Sequence, residues 1–408
     1  MKNCMIIVNE FPFQSGEPFL QNEIGYLCKT FDNIYIFSIN ADKNSCSRFV
    51  PKNVFAFPLQ GDHSIKRYFK FVLSGIKINE IKTCDINLKR VIAKLYVKGR
   101  AIDTAKRIEN IIKREQIDVS NLVIYSFWYS YQSLAACILK NKYLAQGNNV
   151  SAVSRAHGYD LYWERNKIQY CPYQNYMLNQ LNYVFPCSTH GHNYLLNKYP
   201  WASKKIITSK LGTMDYGIGP FFNSNTQVIL TCCNLIALKR IDLFAKAFVI
   251  LANNNKYIKW ICVGDGPERS KIEKIIRDAG LLERVDFRGE ITNSEVINIY
   301  KTTKVNYFCN VSEYEGIPVS IMEALSFGIP VIATDVGGNG EIVNSNNGLL
   351  LTKNISAKQL AVALNHMLIL SNEKYIELRQ SARKMWEDNY SADNNYNEFC
   401  DLLNELNG

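Results

Sequence analysis

Short runs rich in β-branched and aromatic residues alternate with helix-like segments along the whole chain. This alternation constrains the fold more than any other feature. Eleven such runs are readable: "CMIIVNEF" (4–11), "NIYIFSI" (33–39), "VFAFPL" (54–59), "NLVIYSF" (121–127), "NVSAVSRAHG" (149–158), "NYVFPCS" (182–188), "QVILTCC" (227–233), "KWICVGDG" (259–266), "RVDFRGE" (284–290), "NYFCNV" (306–311) and "PVIATD" (330–335). Strands separated by helices imply parallel sheets covered on both faces. Eleven strands are too many for one small doubly wound sheet, and 408 residues at 47% hydrophobic content supply more than one core. The Gly/Pro/Asn-rich stretch "GIGPFFNSNTQ" (217–227) separates two strand–helix series of similar length. The expected class is therefore α/β, with two Rossmann-like domains over 1–220 and 221–408. After about Ser371 the pattern is helical only, and the last helix is expected to pack back on the N-terminal domain.

The formal charge of +10 is concentrated. Between Ser64 and Glu115 fourteen Lys/Arg face five Asp/Glu, a surplus of nine in one segment. Within it Ile65, Tyr68, Phe69, Val72, Leu73 and Ile76 recur at helical spacing with Lys66, Arg67, Lys70 and Lys77 interleaved. An apolar helix face edged by cations suits an anionic membrane surface, and equally a solvated outer helix. No nucleic-acid recognition motif accompanies it. The twelve cysteines are scattered, with no C-x-x-C pair, and read as small buried hydrophobes in a reducing compartment. No apolar stretch reaches membrane-span length and no cleavage pattern follows the N-terminus, so a cytoplasmic chain, peripheral at the inner membrane face, is expected.

The segment "SEYEGIPVSIMEALSFGIPVIATDVGGNGEIV" (312–343) joins a strand to a helix through Glu315-Gly316-Ile317-Pro318-Val319 and sets a second carboxylate, Glu323, eight residues on. Pro318 suits a first helical turn, and the amides of Gly316, Ile317 and Val319 would then be free to hold an anion. If the helix began at Glu315, eight residues would rise about 12 Å, too far for the carboxylate pair of a glycosidase, for which about 5–9.5 Å is usual. An elongated ligand with hydroxyls at both ends and phosphate between them fits better: carboxylates accept from diols, amides take the charge. Read singly, Glu315 is a helix cap and Glu323 a solvated helix residue.

"EGIPVSIMEALSFGIPVIATDVGGNGEIV" followed by "NNGLLL" resembles the donor-site signature of the retaining glycosyltransferases of family four, which have the GT-B fold and a Glu-x7-Glu motif. The resemblance implies that Glu315 and the amides of Gly316 to Val319 address a donor sugar and that Glu323 holds a ribose. "ILTCCNLIALKRIDLFAKAF" resembles the segment in which the family places an arginine and a lysine on a diphosphate. Lys239 fits the lysine. Asn234 stands where arginine is usual, with Arg240 the adjacent source of charge. "FRGEI" resembles a loop that meets the base, which carries Arg288, Gly289 and Ile291 into the donor site. "NEFPFQSGEPFLQNEI" resembles a glycine-bearing loop that closes over donor phosphate and acceptor, with Gly16 and Glu17 as its positions; alone, "SGEP" is an ordinary helix start. "VSRAHGYDLY" resembles a His-Gly element whose histidine, here His157, lies beside the donor sugar, and it sets Arg155, His157 and Asp160 at one strand end; alone, a histidine at a strand end reads as a satisfied structural one. His190 and His192 are too poorly spaced for a metal pair.

The expected function is transfer of a sugar from a nucleotide-diphosphate donor to a glycan or polyprenyl-diphosphate-linked acceptor, with retention. Glu315, His157 and Lys239 are its catalytic candidates, and no cofactor or metal is expected. Cell-surface polysaccharide assembly is the implied setting. An epimerase of the same architecture and a non-catalytic sugar-binding protein remain open alternatives, the second because of Asn234.

Overall fold

The structure, a computed structural model, describes residues 1–14, 16–41, 48–59, 71–73, 87–221 and 225–406. The chain divides into two compact units, Met1–Lys210 with Tyr396–Gly408, and Leu211–Asn395. Each is built on one six-stranded parallel sheet.

In the first unit the strands are β1 (Asn3–Val8), β2 (Asn33–Ser38), β3 (Val54–Pro58), β4 (Asn121–Ser126), β5 (Asn149–Ala156) and β6 (Tyr183–Pro186), in the order β3-β2-β1-β4-β5-β6. Residues Asn3–Val8 are buried throughout, as expected of a central strand covered on both faces. The helices between strands are α1 (Leu20–Thr30), α2 (Leu88–Arg114), α3 (Tyr131–Ala145), α4 (Gln174–Gln180) and α5 (Thr189–Lys198). Ala101, Ala105, Ile108 and Ile112 of α2 join the core with Leu134 and Leu139 of α3.

The second unit contains β7 (Gln227–Cys232), β8 (Ile258–Val263), β9 (Val285–Gly289), β10 (Tyr307–Asn310), β11 (Val331–Thr334) and β12 (Gly348–Leu351), ordered β12-β11-β10-β7-β8-β9. Between them run α6 (Ile241–Asn254), α7 (Arg269–Asp278), α8 (Asn293–Thr302), α9 (Val319–Ser326) and α10 (Asn339–Ile342), followed by α11 (Ala357–Leu368), α12 (Asn372–Asn389) and α13 (Ala392–Glu405). From Tyr396 onward α13 belongs to the first unit, where Phe399 packs on Tyr125 and Phe185.

The eleven apolar runs all become strands. A twelfth, β12, was not foreseen: it is four residues long and opens on glycine after two asparagines, which reads as a turn. The amphipathic pattern over 65–76 lies outside the described residues except for 71–73. The helix next along the chain, α2, carries the rest of the basic segment and has a solvated outer face in its lower half, with Asp103–Arg107 and Glu109–Lys142 ion pairs outside and isoleucines inside. No helix among the described residues is long and apolar enough to cross a membrane.

Candidate functional site

Both sheets reverse direction once in their strand order, the second between β7 and β10. At such a point the loops leaving the carboxyl ends of the two strands diverge, and ligands of open parallel sheets bind in the crevice they leave. The loop after β7 carries Asn234, Lys239 and Arg240. The loop after β10 carries Ser312 to Pro318.

The β7 loop is threaded close to its neighbour. Leu235 N–H donates to Asp265 O at 2.8 Å, and a Cβ on Gly264 would stand 1.9 Å from Cys233 O, so the "GDG" that follows β8 is glycine-bearing to let this backbone through. A turn of 3₁₀ helix (Ala237–Lys239) then delivers Lys239, and Arg240 takes a left-handed conformation (φ 51°) to start α6. The Arg240 guanidinium turns inward and donates to the carbonyls of Val311 (2.7 Å), Lys353 (2.8 Å) and Ser312 (3.2 Å). It ties three loops together, so the charge expected to make up for Asn234 is committed to backbone. Asn234 itself is exposed.

Lys239 and Glu315 meet, Nζ to Oε1, at 2.6 Å. Ser312 Oγ (2.6 Å) and Asn310 Nδ2 (3.1 Å) donate to the same oxygen. Glu315 is 7% exposed and Glu323 8%. Burial alone would raise the Glu315 pKa; the Lys239 charge and the three donated bonds outweigh it and hold the group below the ordinary carboxylate value, hence ionised. Among the described residues, Oε2 accepts no hydrogen bond and the remaining N–H donors of Lys239 find no acceptor. The pair is satisfied on one side only.

The helix does not begin at Glu315. α9 starts at Val319, with Pro318 in extended geometry at its N-cap, so the rise argument covers only Val319 to Glu323. The segment Glu315–Ile317 is a loop held from behind by the residues after β11: Gly338 N–H donates to Gly316 O at 2.6 Å, and Gly337 (φ 57°) lies so close that a Cβ would be 2.0 Å from Glu315 O. The amides of Gly316, Ile317 and Val319 make no hydrogen bond among the described residues. Neither single-residue reading of the carboxylates holds, since Glu315 caps nothing and Glu323 is not solvated. Glu323 receives one bond, from Asn293 Nδ2 at 2.6 Å, and burial pushes its pKa up to about 7 against that bond.

On the next loops, Arg288 is exposed and paired with Asp286 at 2.7 Å, Gly289 is left-handed (φ 68°) with its carbonyl accepting from Gly264, and Ile291 is half-buried. These stand at the β8–β9 side of the same sheet.

The first-unit residues resolve differently. Glu17, 5% exposed, accepts from the amides of Asn9 (2.6 Å), Glu10 (2.9 Å) and Phe11 (2.8 Å) and from Trp128 Nε1 (2.7 Å). It folds the loop after β1, and α1 begins only at Leu20. Gly16 sits in this loop, its N–H on Glu10 Oε2 at 3.0 Å. Arg155 does not share a site with His157. It is fully buried, 3.2 Å from Glu23, bonded to Tyr125 and Ser209 and stacked on Phe399. Asp160 is likewise structural, accepting from the amides of Tyr129, His157 and Gly158. His157 uses both ring nitrogens within its own unit, Nε2 on Phe127 O (2.9 Å) and Nδ1 on Cys187 Sγ (3.3 Å). Burial opposes its protonated form, but Cys187 and Asp160 favour it and the pKa rises to about 9. With both ring nitrogens committed inside the unit, none is left for the expected side-chain bond to a sugar.

Asn310, Ser312, Asn293 and the Gly337-Gly338 turn were not singled out from sequence. The two glycines lie in the 312–343 motif, but nothing in their spacing tells which backbone they approach.

Residues 219–385, less than half of the chain, match the family described as glycosyl transferases group 1. That segment contains Lys239, Glu315 and Glu323. A Haemophilus influenzae protein described as an uncharacterized glycosyltransferase is 26% identical over 166 residues, 40% of this chain and 45% of its own length. The chain spans less than half the length of the first curated relatives it matches. Among solved structures, sucrose-phosphate synthase of Thermosynechococcus elongatus aligns over 100% of this chain and 99% of its own at 16% identity and a TM-score of 0.72. Anabaena HepE, in complex with UDP-glucose, aligns over 98% of both chains at 14% identity and a TM-score of 0.65. With the two strand orders, these likenesses make the fold the α/β type of the GT-B glycosyltransferases, with two Rossmann-like sheets.

Proposed function

We propose that the chain is a glycosyltransferase that takes a sugar from a nucleotide-diphosphate donor and passes it to a hydroxyl of a glycan or lipid-linked glycan, with retention, in the assembly of a cell-surface polysaccharide. The observation that carries this reading is the half-satisfied Lys239–Glu315 pair at the β7/β10 crossover, beside the amides of Gly316, Ile317 and Val319, unused among the described residues. Diphosphate charge has a cation and amides to meet it, and Oε2 of Glu315 is an acceptor for sugar hydroxyls. Glu323, on the same helix, takes the ribose. The matched family and the UDP-glucose held by Anabaena HepE support the same donor class.

In this reaction the bond from the anomeric carbon to the phosphate oxygen breaks, and negative charge grows on the departing diphosphate. Lys239 and the amides of Gly316, Ile317 and Val319 stabilise that charge. The acceptor hydroxyl bonds to the anomeric carbon on the face the phosphate leaves, and its proton goes to the departing phosphate oxygen. The charge is met by protein groups, so turnover is expected without a metal. His157 enters as a positioning residue for the turn after β5, and Arg240 as a clamp on the loops. The anionic-membrane reading of 64–115 belongs to this proposal too.

The test is release of free nucleotide from a panel of UDP-, GDP- and ADP-sugars, with and without membrane extract as acceptor and with EDTA throughout. Acceptor-dependent release that Lys239→Ala and Glu315→Ala both abolish supports the proposal. Conversion of the donor sugar without acceptor indicates an epimerase. Binding without release indicates a sugar-binding protein, the reading that the uncharged Asn234 and the committed Arg240 would favour.

A further inference from the structure

The first unit has a crossover of its own, between β1 and β4, and a second polar cluster is assembled at its carboxyl edge. Asn9, directly after β1, accepts on Oδ1 from the Tyr131 hydroxyl (2.8 Å) and from Gln132 Nε2 (2.7 Å), the first two residues of α3. Asn40, after β2, adds a long contact from Nδ2 to the same oxygen (3.5 Å). Arg100 of α2 donates to Asn40 Oδ1 (3.0 Å) and to the Tyr96 hydroxyl (3.2 Å), and its guanidinium carbon lies 3.9 Å from the centroid of the Tyr131 ring.

Each side-chain carbonyl of the cluster is occupied: that of Asn9 by Tyr131 and Gln132, that of Asn40 by Arg100, and that of Gln132 by Ser130. Among the described residues, the carboxylates of Glu10 and Glu17 are turned onto the amides of their own loop, and Asp103, one turn along α2 from Arg100, pairs with Arg107. Asn9 Nδ2 and part of the guanidinium remain as donors, and Arg100, though half-buried, forms no ion pair with a carboxylate among the described residues. A partly desolvated guanidinium without a counter-ion is unfavourable, and its planar fork matches a carboxylate or phosphate in two bonds.

We propose that this cluster binds an acidic group, carboxylate or phosphate, on the acceptor saccharide, with Arg100 pairing to the acid and Asn9 Nδ2 donating to an adjoining oxygen. That the saccharide is an acceptor rests on the transferase reading; that an acidic saccharide binds here does not.

Calorimetric titration of the full chain, without donor, uses methyl β-glucuronoside and glycerol 3-phosphate as acidic probes and methyl β-glucoside as the neutral one. The acidic probes should bind about tenfold or more tightly, with an affinity that falls as salt rises. Arg100→Gln should erase the preference and Arg100→Lys restore part of it. Whichever acidic probe is preferred identifies carboxylate or phosphate as the group read. Equal binding of acidic and neutral probes, or a preference that persists in Arg100→Gln, overturns the proposal. Should Arg100→Gln unfold the first unit, Asn40→Asp, which gives Arg100 a carboxylate at its present 3.0 Å contact, must abolish the preference instead. UDP titrated into Arg100→Gln reports on the donor reading alone.

Discussion

The two sheets share one strand order, yet their crossovers use acidic residues in opposite ways. In the second unit Glu315 gathers three donors on Oε1 and leaves Oε2 uncommitted, beside a lysine with donors to spare. In the first unit Glu17 is consumed by three loop amides and an indole, and the surplus is a guanidinium. The same topology thus yields one crevice with both signs of charge on offer and one whose spare charge is a guanidinium. A ligand with a charged middle and hydroxyl-bearing ends suits the first kind; an acidic group suits the second.

The sharpest way to break this contrast is to exchange charge at the second-unit pair. Lys239→Met should lower acceptor-dependent nucleotide release by about 10²–10³-fold, the scale of losing a principal charge-stabilising donor. Glu315→Gln should do the same while leaving Lys239 without its counter-ion. Steady-state rates on the best donor of the panel decide it, and a loss of less than tenfold in both would remove the pair from the chemistry.

Glu17 should behave in the other manner. Glu17→Gln turns one of the carboxylate's oxygens into an N–H₂ that faces amide donors, in a buried loop. The expected cost is about 2–3 kcal/mol of first-unit stability, read by urea unfolding, with UDP affinity unchanged. A variant that unfolds like the wild type but fails to bind UDP would make Glu17 a ligand residue after all and dissolve the contrast.

The strands were legible because each is a short β-branched or aromatic run bounded by turn residues, and β12 escaped because its GLLL holds no such residue and its first residue belongs to the turn-like Asn-Asn-Gly. Lys239 and Glu315 were legible one by one, through the loops that carry them. Their contact was not, since it joins residues 76 apart and only the sheet order brings the two loops together. Arg155 and His157 part for a related reason. Two residues apart on one strand end they looked like neighbours in one site, but the direction each side chain takes depends on distant partners: Glu23 and Phe399 for the arginine, Phe127 and Cys187 for the histidine. A sequence states which groups lie at a sheet edge, not which of them the rest of the fold will claim.

Glu323 separates stability from binding by sign. Its folded pKa lies near 7, raised by burial from an unfolded value near 4.5, so the folded state holds the proton more tightly. The linked stability is fully present below about pH 4.5 and is lost as pH rises through 7, a span worth about 3 kcal/mol at most. Nucleotide binding should run the other way if the carboxylate accepts from ribose hydroxyls, because the ionised form is the acceptor and binding would pull the pKa down. UDP affinity should therefore climb several-fold between pH 6 and 8 while the unfolding free energy attributable to this group declines. Glu323→Gln should flatten both profiles, and the difference from wild type isolates the group from other titrations. Affinity that is level from pH 6 to 8 in the wild type, or a slope that persists in Glu323→Gln, would take the ribose contact away from Glu323 and leave it as a buried acid held by Asn293 alone.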